Sequence, residues 1–76
     1  MKLYRNKGNE THHLVLAHSD DIALLVKLIR CHVPFVVAQG INVQEDSGEW
    51  NHGNYFETIE EAVAKYKNLT RPPWKD

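Results

Sequence analysis

The chain has 76 residues, with 9 basic and 10 acidic side chains, 5 histidines, a formal charge of −1 and a hydrophobic fraction of 42%. That length allows one core, and a domain so small buries only about 60–65% of its unfolded surface, while the apolar fraction is too high for a disordered chain. Near-neutral charge argues against a strongly electrostatic nucleic-acid binder and against an acidic nucleic-acid mimic, and Cys31, the single cysteine, rules out an internal disulfide.

The first predicted element is a hairpin. Residues 2–5 and 11–17 flank the turn-forming run Asn6-Lys7-Gly8-Asn9. A two-residue loop at Lys7-Gly8 pairs Arg5 with Glu10, Leu3 with His12 and Met1 with Leu14. That register puts Met1, Leu3, Leu14 and Leu16 on one face and sets opposite charges across the strands at Arg5 and Glu10.

The second element is predicted as a helix. Ser19 suits an N-cap, and Asp20 and Asp21 suit the positive end of a helix dipole. Ile22, Leu25, Val26 and Ile29 follow at helical spacing, with Leu24 and Leu28 widening the stripe. Pro34 ends the element, because a residue before proline avoids the α region.

A sheet is expected next. Residues 33–38 form a β-branched run suited to a strand buried on both faces. Residues 41–44 and 49–56 read as a second hairpin around Glu45-Asp46-Ser47-Gly48. Its register has two solutions. A two-residue loop pairs Glu45 with Trp50 and makes Trp50 core; a three-residue loop pairs Gln44 with Trp50 and puts Trp50 on the polar face.

The last element is a helix over residues 59–69. Thr58 and Glu61 form a capping box, and Ile59, Ala62, Val63 and Tyr66 make one apolar stripe. Pro72 and Pro73 stop it. The expected architecture is α+β, in the order ββαβββα with the strand count open by one. It has a small antiparallel-dominated sheet and two helices packed on one face. Residues 1–70 form the single domain and residues 71–76 a short Pro/Trp tail.

The chemistry-bearing residues do not combine into a known motif. His12 and His13 are adjacent on a strand and point to opposite faces. The histidines and Cys31 lack zinc-ligand spacing. His18-Ser19-Asp20 has the residue types of a hydrolytic triad, but triads assemble in space and not from neighbours. No phosphate-binding loop or dinucleotide fingerprint occurs. No cofactor is expected.

The expected function is a small non-catalytic module that binds another protein, of the inhibitor or adaptor kind carried by phages and other mobile elements. One partner site is Trp50, His52 and Asn54, with Asn42 and Gln44 beside them; Arg71 and Trp74 in the tail form another. A large aromatic among amides and an imidazole is the composition of a recognition patch. The alternative is weak nucleic-acid binding by the basic, aromatic C-terminal helix and tail, where Lys65, Lys67, Arg71 and Lys75 interleave with Tyr66 and Trp74. A small enzyme or metal-binding protein is the second alternative. A homodimer through a sheet edge is also expected. The longest apolar runs, 22–26 and 33–38, are far too short to span a membrane. With no leader-like start and one cysteine, a cytoplasmic location is expected.

Overall fold

The computed structural model describes residues 2–70. Six strands and one helix follow in chain order: β1 (Lys2–Asn6), β2 (Thr11–Ser19), β3 (Ile22–Lys27), β4 (Phe35–Gln39), β5 (Ser47–Gly48), β6 (His52–Phe56) and α1 (Ile59–Thr70). The strands form one curled sheet in the order β5-β1-β2-β3-β4-β6, antiparallel except for the short β1–β5 pairing. The described residues form an α+β fold with one helix, not two.

The missing helix is β3. Ile22, Leu24 and Val26 lie on one face of this strand and Ala23 and Leu25 on the other, with Ala23, Leu24 and Leu25 all buried. A strand covered on both faces reads as a continuous apolar run, and over six residues such a run also satisfies helical spacing. Ser19, Asp20 and Asp21 cap nothing. Ser19 pairs with Ile22 across a two-residue turn in which Asp20 takes a φ of 53°, a conformation that aspartate tolerates. The Asp21 carbonyl accepts the N–H groups of Gly40 and Ile41 at 2.9 and 3.1 Å. Ile29, assigned to the core by the helical pattern, is 54% exposed in the β3–β4 connection.

The first hairpin forms, but its register is two residues away from the expected one. Leu3 opposes Leu14 and Arg5 opposes His12. Asparagine chemistry lengthens the loop. Asn6 Oδ1 accepts the N–H groups of Gly8 and Asn9 at 2.8 and 3.2 Å, and Asn9 Oδ1 accepts the Thr11 N–H at 3.0 Å. A shift of two keeps side chains on their faces, so Leu3 and Leu14 share a face as expected. It is not the buried one: Leu3 is exposed, while Tyr4, Asn6, His13 and Val15 on the other face are buried. Arg5 and Glu10 meet as an exposed ion pair at 2.8 Å.

The core has two parts, one on each face of the sheet. On the helix face, α1 lays Ala62 against Leu24 and Val37, with Phe35, Phe56, Ile59, Val63, Tyr66 and Leu69 around them. The capping box is present. The Glu61 N–H donates to Thr58 Oγ1 at 3.3 Å, and that hydroxyl donates to the Glu61 carboxylate at 3.1 Å. On the opposite, inner face, Tyr4, Val15, Ala23, Leu25, Val36 and Ala38 are covered by Ile41, Val43 and Trp50 from the strip of chain between β4 and β6. β4 runs between both parts as expected, with Val36, Val37 and Ala38 fully buried.

The second hairpin does not form. Residues 41–44 make no strand, Ser47–Gly48 joins β1 in parallel, and His52–Phe56 pairs with β4. The strip that contains β5 is tied across the inner face. The Arg5 N–H donates to the Asp46 carbonyl at 3.0 Å and the Lys7 N–H to that of Gly48 at 2.8 Å. Glycine is needed at two points of the strip. Gly40 has a φ of 77° and a Cβ there would run into the Asn51 amide; a Cβ on Gly48 would meet the Tyr4 hydroxyl.

Candidate functional site

The residues expected to form a recognition patch are split between the two faces. Trp50 is half-buried on the inner face. Its ring lies 5.2 Å from that of His13, edge-on at 84°, and 6.3 Å from that of Tyr4. Its packing is that of the core alternative, reached through a covering strip instead of a hairpin. His52 and Asn54 register with Gln39 and Val37, so their side chains lie on the helix face. Asn42 and Gln44 are exposed on the strip, between the buried Ile41 and Val43, and the Gln44 N–H donates to Asn42 Oδ1 at 3.1 Å. Trp50 therefore does not join His52 and Asn54, nor do Asn42 and Gln44. Arg71 and Trp74 lie outside the described residues.

The inner face holds a group of aromatic and basic side chains that the sequence pattern did not single out. His13 is 1% exposed; its Nδ1 lies 3.1 Å from the Thr11 carbonyl and its Nε2 has no partner among the described residues. Burial holds the His13 imidazole below its ordinary pKa. The Thr11 and Tyr4 backbones oppose that shift, and Lys27 and His12 add to it. Burial raises the Tyr4 phenol, with Glu45 and Glu49 adding to the shift. The Lys27 ammonium sits 4.9 Å from the centre of the Tyr55 ring, a cation–π contact at the rim of this group. This group serves packing: His13 fills space beneath Trp50, and its one free nitrogen faces no opening.

The edge of the sheet at β6 is different. The Lys27 N–H donates to the Pro34 carbonyl at 2.8 Å, which extends the β3–β4 register by one hydrogen-bonded pair. Bonded pairs alternate along an antiparallel ladder, so Leu25 bonds Val36 and Ala23 bonds Ala38. Phe35 and Val37 then direct their backbone groups at β6, where their partners are Phe56 and Asn54. Gly53 and Tyr55 are left with N–H and C=O turned away from the sheet. No strand pairs with that side of β6 among the described residues. Tyr55 is 48% exposed, His52 is exposed, and Asn54 is half-buried with its Oδ1 buried and unpartnered.

The remaining candidates separate in space. His18, Ser19 and Asp20 are all exposed around the β2–β3 turn, and Cys31 is half-buried in the β3–β4 connection. Tyr66 packs into the core beneath α1, so it does not stand beside the exposed Lys67 as a stacking platform. Among the described residues no three His, Cys, Asp or Glu side chains converge on a point that could hold a metal ion, and no helix is long and apolar enough to cross a membrane. Comparison of the chain with protein-family models, curated proteins and solved structures finds no match.

Proposed function

We propose that this chain is a small non-catalytic binding module, of the inhibitor or adaptor kind, that engages another protein chain along β6. The free backbone edge at Gly53 and Tyr55 carries this reading. An unpaired row of N–H and C=O groups is a template for an added strand, and flanking side chains give such additions their specificity. His52 and Tyr55 are exposed beside that edge and supply polar and aromatic contacts on opposite faces of the strand.

The test is a photo-crosslinking amino acid placed at His52, where the side chain is exposed. Covalent capture of a protein, identified by mass spectrometry and lost in a Tyr55→Pro variant, supports the reading. Proline at 55 removes an outward N–H that the β4 ladder does not use. Capture of DNA or RNA, or of nothing, overturns it.

A further inference from the structure

We infer that residues 40–51 form an acid-released cover: protonation of His13 lifts this strip from the inner face and bares the edge of β1, while the sheet stays folded. This device is separate from the β6 edge and stands whether or not that edge is used.

His13 lies on the inner face opposite Tyr4 of β1 and Lys27 of β3, nearly closed to water. The Thr11 carbonyl can only accept, so Nδ1, 3.1 Å from it, carries the hydrogen of the neutral ring. Nε2 therefore holds the lone pair, and it is the atom that takes a proton on acidification. Trp50 stands against the ring, edge-on, with 5.2 Å between ring centres, and Trp50 belongs to the strip. The other walls, Tyr4 and Lys27, are residues of the strand ladder. The strip is the wall that can move aside without breaking the sheet.

The protonated ring has no counter-ion among the described residues. Lys27, directly across on β3, is a like charge, and like charges opposed across strands destabilise the pair. Its ammonium is held over the Tyr55 ring of β6, 4.9 Å from the centre. His12, exposed on the other face of β2, adds to the repulsion. From β1 the facing titratable group is the Tyr4 phenol. The carboxylates of the strip are engaged elsewhere: Glu45 and Glu49 act on that phenol, and Asp46 pairs with Lys2. The Thr11 and Tyr4 backbones favour the charged ring, but burial outweighs them and holds the imidazole below its ordinary value. With the strip lifted the ring regains its ordinary value of about 6.5, so acid favours the open form.

The strip is lightly held, by Ile41, Val43 and Trp50 and by the two-residue β5. It covers the β1 edge through the Arg5 N–H on the Asp46 carbonyl at 3.0 Å and the Lys7 N–H on that of Gly48 at 2.8 Å. Once lifted, it leaves both N–H groups as an unpaired edge, a template for an added strand. The helix-face core contains no residue of the strip, so α1 and the sheet beneath it keep their packing.

The test is amide hydrogen exchange of the full chain at pH 7.5 and pH 5.5, each rate being divided by the chemical rate of the free amide at that pH. In wild type the protection of Arg5 and Lys7 should fall several-fold between the two, by about tenfold at most, the limit for one proton with an exposed pKa of about 6.5. It should stay below the protection of Leu25 and Val36 at both. His13→Phe keeps a ring beneath Trp50 but takes no proton, so its Arg5 and Lys7 protection should change by less than about twofold. Asp46→Asn removes the ion pair of the strip and should leave the fall intact. Unchanged Arg5 and Lys7 protection in wild type overturns the acid-released cover, and so does an undiminished fall in His13→Phe. A fall that disappears in Asp46→Asn assigns the effect to the ion pair and overturns it too. Exchange of all four amides at one rate overturns it as well, because the strip then has no opening of its own. The wild-type measurement decides on its own if His13→Phe fails to fold.

Discussion

Nδ1 of His13 has the Thr11 carbonyl as its partner and Nε2 has none, so the ring is held neutral in a site nearly closed to water. Protonation there would bury a charge with Lys27 close by, and both effects lower the folded-state pKa. The unfolded chain binds this proton near its ordinary value of about 6.5, while the folded chain resists until lower pH. The stabilisation is therefore present at pH above about 6.5 and is lost as pH falls from there through the depressed folded value, at no more than about 1.4 kcal/mol per pH unit for one proton. Other groups titrate in the same range, so the measurement is a difference. Urea unfolding at pH 7.5 and pH 5.5 should show a smaller loss of stability in His13→Phe than in wild type; equal losses would remove His13 as the source. The sequence showed that His12 and His13 must face opposite ways, and the structure agrees, with His12 exposed and His13 buried. It did not show which one faces in. That choice is made when residues 40–51 cover the inner face, and nothing in the local pattern of β2 reports it.

At the scale of elements, legibility depended on how local the deciding interactions are. Helix α1 was readable because its signals lie within its own twelve residues and the one before them: the Thr58–Glu61 cap and a stripe of Ile59, Ala62, Val63 and Tyr66. β4 was readable because a β-branched run before a glycine has few other uses. β3 was not, because its first five residues are apolar on both faces and a helix fits them equally well. The two readings differ in one pair of substitutions. Leu25 is fully buried in both, so Leu25→Ala should cost roughly 2–4 kcal/mol. Ile29 continues the apolar stripe of a helix but is mostly exposed beyond the end of β3, so Ile29→Ala should stay within about 0.5 kcal/mol of wild type. Chemical denaturation of both variants checks this; a large loss in Ile29→Ala would restore the helix. The partner patch failed for a related reason. Alternation within 41–56 was read as a hairpin closing on itself, when the strip instead pairs with β1 and β6 pairs with β4. His52 and Asn54 kept their place on a strand face, and Trp50 lost its place beside them.

For the whole molecule, the sheet's two faces are covered by different means, and they should not be equally hard to open. The helix face is sealed by α1, which brings its own internal hydrogen bonds. The inner face is sealed by a strip with little regular structure, anchored by the burial of Ile41, Val43 and Trp50, by the two-residue β5, and by two backbone bonds to Asp21. The Lys2–Asp46 ion pair that crosses to the strip, at 3.2 Å, involves an almost fully exposed carboxylate and adds little. Few buried contacts and exposed backbone bonds mark the segments that open first in a native protein. The strip should therefore lift without the sheet unfolding, releasing the amides of Arg5 and Lys7, which donate to Asp46 and Gly48. Leu25 and Val36, paired in the centre of the sheet and fully buried, should exchange only on global unfolding. Val43→Ala removes two methyl groups' worth of anchor, roughly 1.5–2.5 kcal/mol with the cavity it leaves. Hydrogen exchange should show Arg5 and Lys7 faster than Leu25 and Val36 in wild type. If strip opening is a separate event, Val43→Ala speeds Arg5 and Lys7 by about tenfold or more and also brings Trp50 emission toward that of a solvated indole. If all four amides exchange at one common rate in both proteins, the strip and the sheet open as a single unit and the inner face has no separate closure.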